Sequence, residues 1–359
     1  DAVVGLATGY RDEALRVGRA DVGEVLGRVP AQPPRSFHEA LQALRFVHAA
    51  VWLNGHYHVG LGRFDQYMMP YLRRDLAEGA LTVERAEELL AEFFISLNKD
   101  TDLYPGIQQG DNGQSLMLGG VTRAGQGAVN ELTAMVLRVA HDVNMVDPKI
   151  NLRVDSNTDL ELLTLAARLT ERGLGFPQYS NDDVVIPGLV AHGYELEDAR
   201  DYTVAACWEY IIPGRGMDVV NIGAVSLPAA VHRGIVAGLE AGDDMAGIRQ
   251  RVSVDIRDQA NARVADYANL ILPPAPFYSC LMSDCLAQGR DLCHGARYNN
   301  FGVHGACSAN AADALAATAR FVFDEPCVRP AELLDALECN WAGHELHRPR
   351  MTRGPHARK

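Results

Sequence analysis

The feature that most constrains the fold is an alternation of amphipathic helices with short strand-like segments. The pairs Ser36–Glu39 and Thr158–Glu161 have capping-box spacing, and each precedes apolar residues at helical intervals. We predict helices at about 36–52, 82–98, 129–143, 158–173 and 182–192, and strands at 150–154, 177–179 and 202–206. Strands that alternate with helices over this length indicate an α/β sheet or barrel.

Size and charge narrow the class of protein. A chain of 359 residues can bury a large core, as one domain or as two smaller ones, and 48% hydrophobic residues is typical of a globular fold. The net charge is −13 and the basic residues form no stripe, which argues against a nucleic-acid partner. No apolar run approaches the roughly 18 residues of a membrane span, so we predict no membrane association.

The cysteines predict reduced thiols. Seven cysteines are an odd number with no disulfide-framework spacing, which fits a cytoplasmic protein. Cys280, Cys285, Cys293 and His294 are close in sequence, but their gaps match no zinc-binding pattern. We therefore predict no metal site.

Two glycine-rich stretches lack the pattern of nucleotide-binding loops. Gly214 and Gly216 are followed by Val219 where a dinucleotide fingerprint requires a third glycine, and Gly173 and Gly175 are not followed by one either. Neither stretch opens a helix directly after a strand. We interpret these glycines as tight turns.

The tripeptide Cys207-Trp208-Glu209 is the strongest candidate for chemistry. In an extended loop, side chains at i and i+2 point to the same side, so the thiol and the carboxyl would face one space. A thiol can lose a proton or a hydrogen atom, and a carboxyl beside it can move substrate protons. The alternative for the tripeptide alone is a buried cysteine next to a surface glutamate.

Several stretches together resemble the glycyl radical enzymes, the superfamily of pyruvate formate-lyase and the radical dehydratases. These stretches are 36–42 (SFHEALQ), 60–67 (GLGRFDQY), 181–187 (NDDVVIP), 198–202 (DARDY), 276–279 (PFYS), 295–300 (GARYNN) and 312–316 (ADALA). They follow the order of the family, and Cys207 and Glu209 stand where the family has its radical cysteine and partner glutamate.

The resemblance implies a ten-stranded α/β barrel, present here in part, with the cysteine loop inside it. It implies that Cys207 abstracts hydrogen from a small polar substrate and that Glu209 is the general acid or base, leading to cleavage of a C–O, C–N or C–C bond. No cofactor would be bound by this segment. A glycyl radical in a missing C-terminal region would be installed by a radical S-adenosylmethionine/iron–sulfur activase, and the enzyme would be a homodimer.

Departures from the family pattern leave two alternatives. Pyruvate formate-lyase has two adjacent cysteines, whereas Ala206 and Trp208 flank Cys207 here, which argues against formate C-acetyltransferase chemistry. No glycyl radical motif occurs, so we expect a central fragment, and an inactive truncated product is the second alternative. We predict an incomplete pyruvate formate-lyase-like barrel domain at 1–340 and an irregular basic tail at 341–359.

Further polar residues are candidates for binding substrate. Tyr210 follows the tripeptide, and four others lie in polar segments before or after helices: His58, Asp111, Asn112 and Gln114. Ordinary turn, capping and packing roles are the alternative for each. Arg63 and Asp65 are interpreted as a structural ion pair and not as catalytic residues.

Overall fold

A computed structural model of the protein describes residues 1–55, 58–99 and 113–352. The chain folds as two units, one comprising Asp1–Asp218 with Pro274–Asn299 and the other Val219–Pro273 with Asn300–Lys359. The predicted domain at 1–340 includes parts of both units, and its boundary remains a prediction. Among the described residues, no helix combines the length and apolarity that a membrane span requires.

Helices make up most of the described chain. The α-helices are Ala2–Arg16 (α1), Ala20–Leu26 (α2), Phe37–Leu53 (α3), Phe64–Ala77 (α4), Val83–Leu97 (α5), Glu131–Val143 (α6), Leu160–Glu171 (α7), Asp182–Ala191 (α8), Leu196–Arg200 (α9), Leu227–Ala241 (α10), Met245–Ala265 (α11), Pro276–Ser279 (α12), Ser283–Gln288 (α13), Leu292–Gly295 (α14), Ser308–Thr318 (α15), Pro330–Glu338 (α16) and His347–Thr352 (α17). A 3₁₀ helix covers Asp266–Asn269 and a π-helix covers Ala319–Asp324. Helix α17 lies within the segment predicted to be an irregular tail.

The strands form three small sheets. They are Ser115–Gly119 (β1), Lys149–Val154 (β2), Gln178–Asn181 (β3), Thr203–Val204 (β4), Tyr210–Ile211 (β5), Gly216–Ser226 (β6) and Tyr298–Ala306 (β7). Strands β1, β2 and β3 are parallel and adjacent in that order, β4 pairs with β5, and β6 pairs with β7. Helices α6 and α7 connect the three parallel strands, which confirms the predicted α/β class.

Helix starts follow the sequence signals, with one correction. Ser36 caps α3 by accepting a hydrogen bond from the Glu39 N–H (3.1 Å), and Thr82 caps α5 in the same way. The cap of α7 was predicted to be Thr158, but Asp159 accepts the first-turn N–H of Glu161 (2.7 Å). Thr158 instead bonds to Asp155 in the preceding turn. Both residue types are good caps, so the sequence did not distinguish them.

One face of the parallel sheet is covered by helices. Leu116 and Leu118 of β1, with Ile150 and Leu152 of β2, belong to a continuous apolar core that they share with α3 to α7. These side chains are at alternate positions and therefore point to one face of the sheet. The helices thus lie on the outer side of the sheet, and the remaining alternate positions define its inner face.

The predicted ion pair between Arg63 and Asp65 is corrected. Arg63 donates to Asp201 (3.1 Å) and to the Gly119 carbonyl (2.8 Å), whereas Asp65 accepts from the Gly119 N–H and from Thr133. Burial raises the pKa of Asp65, and its hydrogen bonds counteract that shift. Both residues therefore stabilise the end of β1, but through different partners. Asp201 is 138 positions from Arg63, a separation that sequence spacing cannot reveal.

The second unit has its own apolar core. Helices α10 and α11 pack closely, since a Cβ at Gly238 would lie 2.6 Å from Ile248 Cγ1. The buried residues are Ala230, Val231, Ile235, Leu239, Ile248, Val252, Ala311, Val322, Val328 and Leu333. Most come from α10, α11, α15 and α16, so helix packing stabilises this unit.

Candidate active site

Cys207 lies in the loop of a β-hairpin. Strands β4 and β5 are antiparallel, with Val204 opposite Tyr210, and the Ala205 N–H donates to the Glu209 carbonyl (2.9 Å). This closes a tight loop over 205–209, with Cys207 at its centre. Trp208 is 52% exposed, whereas Cys207 is partly buried. The hairpin therefore presents the thiol at its tip.

Glu209 is held next to Cys207 by the loop backbone. Its Oε2 accepts hydrogen bonds from the N–H of Cys207 (2.7 Å) and the N–H of Trp208 (3.1 Å). The sequence predicted two side chains projecting side by side from an extended loop, whereas the carboxylate folds back across the loop. Two backbone donors thus fix its position beside the residue that bears the thiol.

The inner face of the parallel sheet contacts this loop. Ser115 on β1 donates its hydroxyl to the Ala206 carbonyl, and Lys149 on β2 places Nζ 3.6 Å from Cys207 Sγ. Ser115 and Lys149 are register partners, so they lie side by side on one face. A cation beside the thiol was not among the residues predicted from the sequence.

Gly60 permits a close backbone approach to the loop. A Cβ at this position would lie 2.6 Å from the Val204 carbonyl oxygen and 2.9 Å from that of Ala205. Both are backbone atoms that a side chain could not displace without moving the hairpin. Position 60 therefore has room only for glycine. This constraint was not predicted from the sequence.

A buried histidine supports the segment before Gly60. His48 on α3 contacts the Val59 carbonyl through Nε2 (2.9 Å). Burial lowers the pKa of His48 to about 4, because the charged ring would lose its hydration. The neutral imidazole therefore donates through Nε2 and fixes Val59.

Of the other predicted binding residues, His58 and Tyr210 lie next to the loop. A Cβ at Gly113 would collide with the His58 ring and lie 3.2 Å from Ala206 Cβ, so His58 and Ala206 flank the same backbone. Tyr210 Oη is 3.5 Å from Ser180 Oγ on β3, and its ring packs edge-to-face on Tyr202. These positions are compatible with pocket walls.

The remaining predicted binding residues are placed differently. Gln114 is fully buried and donates Nε2 to the Leu97 carbonyl at the end of α5 (3.0 Å). Its observed partner thus belongs to the helical side of the sheet. Asp111 and Asn112 lie outside the described residues.

A buried ion pair anchors the start of the hairpin. Arg153 on β2 donates to both carboxylate oxygens of Asp182 (2.8 Å each), and Tyr202 donates its hydroxyl to Asp182 (2.7 Å). The guanidinium carbon also lies 4.0 Å from the centre of the Tyr202 ring. Burial raises the pKa of Tyr202, which keeps its hydroxyl protonated as a donor. The residue before β4 is thereby fixed to the inner face of the sheet.

A signal for the missed inner-face residues was present in the sequence. Strand β2 alternates, with Ile150 and Leu152 in the apolar core and Lys149, Asn151 and Arg153 between them. Period-two alternation assigns those three polar residues to one face. Only the fold shows that this face meets a loop 58 positions further along the chain.

Potential metal ligands cluster in the second unit. Asp335, Cys339 and His344 bring one ligand atom each within 4.8 Å of one another. His344 Nε2 already contacts the Asp335 carboxylate (2.7 Å), and Cys339 Sγ contacts the Ala342 carbonyl (3.0 Å). These contacts account for the cluster, and we assign it no metal.

Comparison with known proteins identifies the family. A family model described as pyruvate formate lyase-like matches residues 19–258 and 257–355. The chain belongs to this family of glycyl radical enzymes. The order of motifs along the sequence predicted this membership, and the prediction is confirmed.

Two curated relatives illustrate the similarity. (2S)-3-sulfopropanediol dehydratase from Klebsiella oxytoca is 31% identical over 93% of this chain and 44% of its own length. Trans-4-hydroxy-L-proline dehydratase from Clostridioides difficile is 26% identical over 93% of this chain and 46% of its own length. The chain thus spans less than half the length of these relatives.

A similar solved structure confirms the fold. The glycerol-bound form of the B12-independent glycerol dehydratase from Clostridium butyricum matches with a TM-score of 0.81 and 27% identity. The match covers 99% of this chain and 49% of that chain. The predicted partial α/β barrel of the glycyl radical enzymes is therefore confirmed.

Proposed function

We propose that this chain provides the substrate-side barrel of a glycyl radical lyase that cleaves a C–O, C–N or C–C bond in a small polar molecule. The observation that carries the proposal is the loop geometry, in which Cys207 stands at a hairpin tip and Glu209 is held beside it by two N–H groups. The two residues have separate roles: Cys207 handles the hydrogen atom, and Glu209 handles the proton.

In the hydrogen-atom step, Cys207 both takes the hydrogen atom from the substrate and returns it to the product. A sulfur radical at Cys207 takes a hydrogen atom from a substrate C–H, so that an S–H bond forms and the radical passes to carbon. The S–H bond formed is comparable in strength to the C–H bond broken, so this transfer is nearly reversible. After rearrangement or elimination, the product radical takes a hydrogen atom back from the Cys207 thiol.

The proton step is assigned to Glu209. Loss of a hydroxyl or amine from a substrate radical needs a proton on the leaving group and removal of a proton from its neighbour. One carboxyl can do both in turn, provided that it stays within hydrogen-bond distance of the substrate. The two backbone donors that hold Glu209 supply that constraint.

The source of the radical is also part of the proposal. A backbone glycine radical, installed by an iron–sulfur activase that uses S-adenosylmethionine, would remove the hydrogen atom of the Cys207 thiol. A thiol at a hairpin tip next to a polar sheet face fits this role. We also propose that the complete enzyme is a homodimer, as the family resemblance implies.

The relatives support a lyase over acyl transfer. The two curated relatives and the solved enzyme described above are all named as dehydratases. Acyl transfer to coenzyme A would use a second thiol next to the first, and Cys207 is flanked by Ala206 and Trp208.

The decisive experiment replaces the thiol. In the full-length enzyme, activated without oxygen, Cys207→Ser should abolish turnover of diols, hydroxy acids and amino alcohols. The glycyl radical signal in electron paramagnetic resonance should persist. Cys280→Ser, which changes an exposed thiol, should keep wild-type activity. Product formation by the Cys207→Ser variant would contradict the proposal, and formate release from pyruvate with coenzyme A would favour acyl transfer instead.

A further inference from the structure

The inner face of β2 carries a row of polar side chains directed at the hairpin. Arg153 at one end binds Asp182 and Tyr202, and Lys149 at the other end lies next to Cys207. Asn151 lies between them on the same face, because it is two residues from each. The row therefore runs from the anchor of the hairpin to the thiol.

Asn151 has an unusual environment. Its side chain is 0% exposed, yet neither Nδ2 nor Oδ1 has a hydrogen-bond partner in the part of the chain that the structure describes. Its register partner on β3, Gln178, likewise has a buried Oε1 without a partner there. Buried amides almost always have partners, so this pair points to a polar group that comes from outside the fold.

The register shows which way Asn151 faces. Its partner on β1 is Met117, which packs with Tyr202, Val204 and Ile212 of the hairpin segment. Register partners in a parallel sheet project to the same face. The Asn151 amide is therefore directed to the hairpin side of the sheet, where Lys149 meets Cys207.

We propose that Lys149 and Asn151 form a subsite for the acid group, a carboxylate or a sulfonate, of a small hydroxylated substrate. This inference rests on the proposed function of Cys207 and specifies the substrate class. The ammonium of Lys149 and the Nδ2 of Asn151 donate hydrogen bonds to oxygens of the acid group. The Asn151 Oδ1 and the Gln178 Oε1 accept from a substrate hydroxyl.

The dimensions favour a short molecule. The Cα atoms of Lys149 and Asn151 are about 6.6 Å apart along the strand, a span that one acid group with its hydrogen bonds can bridge. Because Nζ is 3.6 Å from Sγ, an acid group on Lys149 brings the next carbons of the substrate to the thiol. A chain of about two to four carbons fits this arrangement.

Lysine is a rare residue in this chain, and Lys149 is one of the few. The chain has 33 basic residues, and only three of them are lysines, namely Lys99, Lys149 and Lys359. An ammonium is a compact charge whose three donors can be shared between the thiol and a ligand, whereas a guanidinium is broad and planar. Lys149 thus suits a confined position next to Cys207, and Lys99 offers a matched exposed control.

Binding can be tested without turnover. We would titrate full-length, unactivated enzyme by anaerobic calorimetry with glycerate, with 2,3-dihydroxypropane-1-sulfonate and with glycerol, which share a three-carbon hydroxylated skeleton. At least one of the two acids should bind ten-fold or more tightly than glycerol, and the tighter acid identifies the carboxylate or sulfonate class. Lys149→Gln should abolish that preference, whereas Lys99→Gln should keep it.

Variants at Asn151 separate binding from folding. Asn151→Asp keeps the shape and repels an acid group, so acid binding should weaken ten-fold or more while glycerol binding changes little. Asn151→Leu removes the buried polar atoms, so the same loss of acid binding should come without a lower melting temperature. A structural role alone would instead lower the melting temperature and leave the acid preference unchanged.

The outcomes distinguish this subsite from the proposed function. Failure of both acids to bind more tightly than glycerol, or an acid preference that survives Lys149→Gln, would overturn the subsite and leave the role of Cys207 intact. Conversely, turnover by Cys207→Ser would overturn the proposed function even if Lys149 binds the acid.

Discussion

Arg153 and Asp182 form a buried ion pair with both guanidinium–carboxylate hydrogen bonds at 2.8 Å. The two side chains are 0% and 4% exposed, and Tyr202 donates a third bond to the same carboxylate. Because Tyr202 immediately precedes β4, this contact connects the parallel sheet to the hairpin that carries Cys207. The stability of the sheet and the position of the Cys207 thiol thus both depend on the Arg153–Asp182 pair.

The first prediction concerns this pair. Asp182→Asn leaves the Arg153 guanidinium buried without a counter-charge, which should lower the free energy of unfolding by about 3–5 kcal/mol. Urea denaturation followed by tryptophan fluorescence would measure the loss. Glu13→Gln, at an exposed ion pair with Arg16, should leave the midpoint unchanged. Equal midpoints for Asp182→Asn and wild type would show that the pair does not stabilise the fold.

A second prediction concerns the space at Gly60. Gly60→Ala would push a methyl group into the carbonyl oxygens of Val204 and Ala205, so the hairpin must shift. We expect a stability loss of about 1–3 kcal/mol and at least a ten-fold loss of turnover. Gly188→Ala in α8 meets no atom within 4 Å and should stabilise by about 0.5–1 kcal/mol. Full activity of Gly60→Ala would mean that the hairpin tolerates the shift.

The third prediction is a pH dependence of stability due to His48. Its pKa is about 4 in the folded protein, lowered mainly by burial, against about 6.5 in an unfolded chain. As the pH falls below 6.5, His48 takes up a proton in the unfolded chain but not yet in the folded protein. The His48 contribution to the free energy of unfolding is therefore fully present above pH 6.5 and is lost as the pH falls to 4.

The size of the His48 contribution can be measured by comparing the pH dependence of stability of wild type with that of a His48 variant. The shift corresponds to about 3 kcal/mol between pH 7 and pH 4. His48→Gln should remove this part of the slope, and His192→Gln, at an exposed histidine, should not. Parallel stability curves for wild type and His48→Gln over this range would exclude the contribution of His48.

Helices and the α/β class could be predicted from the sequence because their signals are local. Ser36 and Thr82 cap the helices they were predicted to start, and the alternation in β2 was evident from Ile150 to Val154. Its two apolar residues, Ile150 and Leu152, pack in the core that the strand shares with the helices. Such patterns need no knowledge of distant residues.

The contacts of the site could not be predicted because they join distant segments. Lys149 and Cys207 are 58 positions apart, and Arg63 and Asp201 are 138 apart. The conformation of Glu209 depends on the register of a two-residue strand pair that no periodicity marks. The residues of the loop could therefore be predicted from the sequence, whereas the sheet face that contacts the loop could not.

The last prediction tests the proton role of Glu209. Glu209→Gln keeps a side-chain oxygen that can accept from the N–H of Cys207 and Trp208, so the loop should hold its conformation. The amide cannot shuttle protons, so turnover should fall by about 10²–10⁴. Steady-state rates, at a glycyl radical content equal to wild type by electron paramagnetic resonance, would measure the loss.

A second measurement on Glu209→Gln separates the proton from the hydrogen atom. Hydrogen transfer to Cys207 needs no carboxyl, so the variant should still exchange deuterium from labelled substrate into the thiol although product formation is slowed. Glu197→Gln, at an exposed glutamate of α9, serves as the control and should behave as wild type. A near-wild-type rate for Glu209→Gln would assign the proton role to another residue. Loss of exchange together with turnover would mean that Glu209 positions Cys207 instead, through the hydrogen bond that its carboxylate accepts from the Cys207 N–H.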